Sequence, residues 1–345
     1  MAERINIKTL SLTELDESLK DLGLEGYRTS QIKRWLYKFD APDFEAMTNI
    51  GKKYRALLEE KYTIQRLEIV DQQKSQDGTI KFLMVLEDGH QIETVCIPAD
   101  ERRTLCISSQ VGCGMGCQFC LTGTMGIIRN LTQFEILEQV ASAKRFLKDE
   151  RIINIVFMGM GEPMANTKNV YNAVDFLIDS ECFDLSHNHV TVSTCGLAPE
   201  IEKFTERTNV KLAISLNATT DVVRDQIMPI NKKYNLKVLI QACHNMNLPK
   251  RDRITFEYVM LHGINDSLDD AKRLVKLLAG LRVKINLLPF NENPQMPYKR
   301  PSPEHVKKFQ EYLLDKGLFA IERKSRGADI LGACGQLVTS KTDNR

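Results

Sequence analysis

The chain has 345 residues, 43% hydrophobic and 27% charged, enough to bury a large core as one sizeable domain with a smaller one attached. A formal net charge of +2 excludes a strongly polybasic or polyacidic protein, and no run approaches the length of a membrane span. The opening MAERINIKTLSLTELDES is too polar for a signal peptide, so a cytoplasmic protein without membrane contact is expected.

From Leu12 to about Tyr62, apolar residues recur at helical spacing, as in LTELDESLKDLGL and TSQIKRWLYKF, with Ser11 and Thr29 as N-caps. Residues 1–63 therefore read as a small helical module. Over 64–98 the pattern changes to strand-like runs, IKFLMVLEDG and HQIETVCIP, with a hairpin turn at Asp88-Gly89, which predicts a short β extension linking the module to the rest. Positive residues gather at Arg28, Lys33, Arg34 and Lys38, at Lys52, Lys53 and Arg55, at Lys299 and Arg300, and at Arg323, Lys324 and Arg326. Such clusters could meet phosphates, but charge alone favours solvated surface.

Residues 99–345 alternate strand and helix. The apolar runs TLCISS, IINIVFMGM, HVTVST, KLAISLNA, RITFEYVML and KINLLPF are each followed by a helical pattern, from QFEILEQVASAKRFL to PEHVKKFQEYLLDK. Six strand–helix units predict an α/β fold, a parallel partial (β/α)6 barrel with right-handed crossovers. Its chemistry should lie at the C-terminal ends of the strands, and its open side would admit a large substrate.

Cysteine usage points to chemistry at that end. Nine cysteines form an odd set outside any short secreted framework, which argues against a disulfide scaffold. Cys113, Cys117 and Cys120 follow the first barrel strand with the spacing C-x3-C-x2-C, wrapped by Gly112, Gly114, Gly116, Gly123 and Gly126. Three thiolates can hold three irons of a four-iron cluster and leave one iron open to a small molecule. The alternative is a structural zinc site that recruits Cys106 or a distant His as fourth ligand. Cys96, Cys182, Cys195 and Cys243 lie in apolar contexts and read as core.

With Phe119 before its last cysteine, the triplet resembles the radical S-adenosylmethionine superfamily, in which the cofactor's amino and carboxylate groups occupy the open iron. By the same resemblance, Gly161 and Glu162 in GMGEP match the segment holding the methionyl amino group. Ser193, Ser215, Leu216, Asn217 and Asn291, after successive strands, match positions that contact ribose, carboxylate and adenine. RKSRGADILGACGQL, IETVCIP, TLCISSQVGC, YRTSQIKRWLY and MPINKKYNL together resemble the RlmN and Cfr family of RNA adenosine methyltransferases along nearly the whole chain.

That resemblance implies one [4Fe-4S] cluster, two S-adenosyl-L-methionine molecules per turnover and an electron donor such as flavodoxin or ferredoxin. One cofactor would methylate Cys334. A second, cleaved reductively, would give a 5′-deoxyadenosyl radical that takes hydrogen from this methyl, and the methylene radical would add to an electron-poor adenine carbon. Cys106 would then release the product by forming a disulfide with Cys334, with Glu93 as proton acceptor. The implied substrate is C2 of an adenosine in 23S rRNA and in certain tRNAs; the alternative is C8, as in Cfr-like enzymes. Asn217 stands where some relatives have His, and ADILGACGQL departs from the more usual form of that loop. Two rivals are an iron–sulfur protein without turnover and a radical enzyme acting on a small metabolite.

Overall fold

The computed structural model describes residues 4–99, 102–148 and 151–339; the last residues assigned to the core, 340–345, lie outside it, as do residues 1–3 of the opening run. Ten strands form one sheet in chain order: β1 (Ile69–Lys74), β2 (Ile80–Val85), β3 (Gln91–Ala99), β4 (Arg102–Cys106), β5 (Ile152–Phe157), β6 (Val190–Thr194), β7 (Lys211–Ser215), β8 (Ile254–Met260), β9 (Val283–Pro289) and β10 (Ala320–Glu322). Pairing is antiparallel from β1 to β4 and parallel from β4 to β10.

Strands β4 to β9 are the six expected barrel strands. The structure adds β10, a seventh parallel strand whose three residues, AIE, are too few to show a pattern. It also makes the β extension part of the main sheet and not merely a linker, because β3 pairs directly with β4. The turn between β2 and β3 falls at Asp88-Gly89, where Asp88 Oδ1 accepts the His90 N–H at 3.1 Å.

Alternation along the strands sorts core from site. Val190, Val192 and Thr194, then Leu212 and Ile214, then Ile254, Phe256, Tyr258 and Met260 are buried. Their alternates Thr191, Ser193, Ser215, Thr255 and Glu257 are only half-buried and point to the opposite face. Parallel strands covered on both faces read as continuous apolar runs. Here one face packs on helices and the other is polar, as a water-accessible barrel interior requires.

Helix Leu12–Asp21 is capped by Ser11 with a reciprocal Glu14 contact, as the sequence predicts. Thr29 is not a cap. Helix Tyr27–Lys33 starts after Gly26, and the Thr29 hydroxyl instead turns back to the Leu24 carbonyl. Local pattern gave the right residue type; the tight turn at Gly26 decides the boundary. Among the described residues no helix is long and apolar enough to cross a membrane.

The helical module shares one continuous core with the barrel, through Ile7, Leu15, Leu19, Ile32 and Leu36. A buried ion pair locks the two together. Lys8 Nζ lies 2.7 Å from Glu138 Oε1, while Glu138 Oε2 accepts the Leu67 N–H at 3.1 Å and an Arg145 N–H at 3.0 Å. Much of the module's positive charge is likewise paired: Lys33 with Asp16, Arg34 with Glu181, Lys38 with Asp184 and Arg55 with Glu45. Lys52 and Lys53 are exposed, with no ion pair among the described residues.

Removing one partner of a buried pair strands the other charge. Glu138→Ala should lower unfolding free energy by roughly 3–5 kcal/mol, read by denaturant titration. A loss below about 1 kcal/mol, the value of an exposed pair, would show that Lys8 is not held as described.

Candidate active site

The cluster loop begins as a hairpin of Gln110–Cys113 with Gly126–Asn130, an element too short and glycine-rich to be read from sequence. Cys113 ends its first strand, and Cys120 precedes the short helix Leu121–Thr124. The wrap is tight enough that a Cβ on Gly123 would lie 2.8 Å from the Cys117 carbonyl oxygen. Burial pushes the Cys113 thiol up to about 12 and raises Cys117 and Cys120 as well, while Cys120 and Cys113 each add to the shift of Cys117. Among the described residues, no three His, Cys, Asp or Glu side chains converge as a single ion requires.

Gly161 and Glu162 follow β5. Gly161 has φ +102°, and a Cβ there would strike Gln110 at 2.5 Å, so only glycine lets this strand end approach the cluster hairpin. The Glu162 N–H donates to Gln110 Oε1 at 2.8 Å. The Glu162 carboxylate is buried, accepting the Met164 N–H at 3.0 Å and the Cys195 N–H at 2.7 Å; burial raises its pKa, and these donors oppose the rise. Both carboxylate oxygens are thus engaged by the protein, and the segment's backbone is what faces the loop.

The remaining predicted positions stand at successive strand ends. The Ser193 hydroxyl donates to the Phe157 carbonyl at 2.6 Å. Ser215 ends β7, and Leu216 and Asn217 behind it are buried. Asn217 adopts a left-handed φ of 57°, which asparagine tolerates, and its Oδ1 accepts the Val259 N–H at 2.8 Å. Asn291, after β9, donates weakly to the Cys334 carbonyl at 3.4 Å, and its buried Oδ1 has no protein partner. An orphaned acceptor at this depth fits a ligand that donates a hydrogen bond.

The segment carrying Cys334 is clamped from both sides. Gly335 O accepts the Leu121 N–H at 2.7 Å, and Leu337 O accepts the Thr122 hydroxyl at 2.6 Å, so the segment rests on the helix after Cys120. From the β extension, Asp77 Oδ2 accepts the Gly327 N–H at 2.9 Å, and the Ser75 hydroxyl donates to Asp329 at 2.6 Å. The Cys334 side chain reaches solvent-accessible space, yet protein surrounds it closely enough that burial pushes its thiol up to about 12, with Cys106 and Cys120 adding to the rise. Cys106, at the end of β4 and half-buried, is also pushed up to about 12 by burial.

Glu93 lies on β3, on the same sheet face as Cys106: Cys106 is paired with Val95, two residues along. Its carboxylate is buried, pairs with Lys81 Nζ at 2.8 Å and accepts the Val338 N–H at 2.9 Å. Burial raises its pKa; Lys81 and the Val338 N–H pull the other way. The structure therefore brings the Cys334 segment together with the cluster loop, and gathers Cys106, Glu93 and the strand ends around one interior.

Sequence reading missed two ionisable groups here, the half-buried Glu257 and the fully buried Arg224. Glu257 accepts from Asn286 at 2.7 Å and acts electrostatically on Cys334; a carboxylate inside the apolar strand ITFEYVM was its signal. Arg224, on the unpredicted helix Asp221–Ile227, is fully buried behind the strand ends and carried no comparable signal.

A partial barrel with three cysteines after its first strand and polar residues at the following strand ends defines a radical SAM enzyme, and residues 107–278 match the model of the radical SAM superfamily. Residues 5–64 match the ribosomal RNA large subunit methyltransferase N-terminal domain. The dual-specificity RNA methyltransferase RlmN of Geotalea uraniireducens is 51% identical over 97% of this chain and 97% of its own, and that of Geobacter sulfurreducens 51% identical over 98% and 93%. The crystal structure of a radical SAM methyltransferase from Sphaerobacter thermophilus superposes with a TM-score of 0.88 at 41% identity, over 96% of this chain and 98% of that one. The chain belongs to the RlmN family of radical SAM RNA methyltransferases, whose cofactors are a [4Fe-4S] cluster and S-adenosylmethionine.

The Asp77–Gly327 contact is a hydrogen bond to a charged acceptor, worth about 1.5–3 kcal/mol. Asp77→Ala should free the Cys334 segment from the β extension and speed alkylation of Cys334 by about tenfold or more. An unchanged rate would mean that the Ser75–Asp329 contact, with Leu121 and Thr122, holds the segment without Asp77.

Proposed function

We propose that this protein methylates C2 of an adenosine in 23S rRNA, and of an adenosine in certain tRNAs, with the methyl carried on Cys334. The observation that carries this reading is the seating of Cys334 over the cluster loop, within electrostatic reach of both Cys106 and Cys120. The RlmN name shared by relatives at about half identity over nearly the full chain favours C2 over C8.

The residues fit the cofactors. Cys113, Cys117 and Cys120 supply three thiolates from a loop whose glycines leave backbone N–H groups near the sulfurs, and the orphaned Asn291 Oδ1 awaits a donor such as an adenine amine. Gly161, Glu162, Ser193, Ser215, Leu216, Asn217 and Asn291 would hold S-adenosylmethionine, Glu162 and Asn217 by fixing the backbone around it. When bound, the cluster supplies one electron to break a carbon–sulfur bond of the cofactor, work for which flavodoxin or ferredoxin is the donor class in the cytoplasm.

The chain's own groups then divide the labour. Cys334 presents the methyl as a thioether toward the interior. Cys106, whose thiol is protonated at neutral pH, stays inert until it is deprotonated beside a sulfur that can leave. Glu93, raised by burial yet held by Lys81, is poised to accept the proton lost from the adenine ring. The base must leave its stack to enter, so the helical module grips folded RNA, with the exposed Lys52 and Lys53 among the cations that can meet phosphates.

Mass spectrometry of anaerobically reconstituted protein should find a methyl group on Cys334, and none on the Cys334→Ala variant, which should also leave RNA unmethylated. Active protein that never carries this methyl overturns the proposal. Nucleoside mapping of digested rRNA and tRNA should place the product methyl on C2; a C8 product would reassign the regiochemistry.

The double variant Lys52→Ala, Lys53→Ala should weaken RNA binding and reduce the salt slope by about one for each phosphate these lysines neutralise. Cofactor cleavage should be unchanged. An equal fall in both would assign these lysines to folding.

A further inference from the structure

Arg224 is the largest fully buried side chain among the described residues. Its Nε donates to the Leu216 carbonyl at 3.0 Å, Nη2 to the carbonyls of Cys195 and Ser215 at 2.8 and 3.1 Å, and Nη1 to Asn231 Oδ1 at 3.1 Å. Every one of these acceptors is neutral. Among the described residues no carboxylate stands within ion-pair distance; Asp225 and Asp221 act on the guanidinium at longer range and contact it only through the Asn231 amide, which donates to them at 2.7 and 3.1 Å. Neutral donors could tie the same carbonyls, and burying a full charge costs several kcal/mol unless an opposite charge is near.

Beyond these two aspartates, opposite charge lies on the cluster side. The helix bearing Arg224 ends at Ile227, whose carbonyl accepts the Gln118 N–H at 2.9 Å, one residue beyond Cys117. Cys195, whose carbonyl Arg224 holds, donates its N–H to Glu162. The charge of Arg224 acts on both Cys117 and Cys195. Cys117 is therefore within electrostatic reach of a buried guanidinium, to which Glu162 is linked through the Cys195 backbone.

We propose that Arg224 is an electrostatic positioning residue for the cluster: its hydrogen bonds tie the ends of β6 and β7, and its charge favours the reduced cluster by raising the one-electron reduction potential. Reduction adds an electron to a site already anionic, and a fixed cation in a low-dielectric surround lowers the cost of that addition. The inference rests on the reading of Cys113, Cys117 and Cys120 as cluster ligands.

The test is a redox titration, followed by electron paramagnetic resonance, of reconstituted wild type, Arg224→Gln, Arg224→Lys and Asp225→Asn. Absence of a [4Fe-4S] signal in wild type would defeat the underlying cluster reading and not this inference alone. With the cluster present, Arg224→Gln should make reduction at least tenfold less favourable, a fall of about 59 mV for a one-electron couple. Arg224→Lys keeps the charge and should fall by less than half as much, although thermal unfolding of the apoprotein should drop for both. Asp225→Asn removes an acid next to Asn231 and should shift the potential upward. Equal falls for the Gln and Lys variants, or an unmoved potential in Arg224→Gln, would reduce Arg224 to a structural tie. If Arg224→Gln takes up no cluster, Asp225→Asn decides, and an unmoved potential there overturns the proposal.

Discussion

The site depends on one buried chain of polar contacts, from Glu162 through the backbone of Cys195 to Arg224. Glu162 takes the Cys195 N–H, and Arg224 takes the Cys195 carbonyl together with those of Ser215 and Leu216. Three strand ends, those of β5, β6 and β7, are thereby fixed against each other. Such ends carry carbonyls and N–H groups that no ladder satisfies, and burying them unpaired would cost more than the contacts themselves gain. A carboxylate and a guanidinium, each with several hydrogen-bonding positions, satisfy them with only two side chains. Either group alone would be an unpaired buried charge. They are set on opposite sides of one residue, Cys195.

That arrangement explains why the parallel strands read unusually. Their outward faces are apolar and pack on helices, while the inward alternates Ser193, Ser215, Glu257 and Asn286 remain polar. A hydrophobic interior would close by collapse, and none would be left for a cofactor rich in hydrogen-bonding groups. The polar face keeps the barrel open at a cost in stability that the outer helical layer offsets. The β extension carries the same logic beyond the barrel, since Lys81 and Glu93 lie on the inward face and meet the segment following Cys334.

What the sequence revealed was local. Cys113, Cys117 and Cys120 announce a metal or cluster site by their spacing, Ser11 a cap before a helical pattern, and Asp88-Gly89 a turn. What stayed hidden depends on partners far along the chain. Thr29 has a cap's composition, but Gly26 starts the helix. β10 exists because β9 offers an edge, and the β extension serves as a clamp only because residues 75–77 meet residues 327–329 some 250 positions away. Arg224 was invisible for the same reason: nothing near it in sequence distinguishes a buried arginine from a solvated one.

The two outlying thiols show why distance along the chain and closeness in space must be combined. Burial raises both the Cys106 and the Cys334 thiol, so each is protonated at neutral pH. A resting pair so seldom ionised exchanges slowly with oxidants despite its proximity. Methylation would remove Cys334 from this balance, because a thioether cannot ionise. Cys106 would then be the remaining thiol of the pair, next to Glu93 on the inward face. The same burial that makes each thiol unreactive alone therefore sets an order on the proposed chemistry: Cys334 must first be loaded and joined to substrate before attack by Cys106 has a sulfur to displace. The enclosed interior acts through that ordering as much as through the exclusion of water.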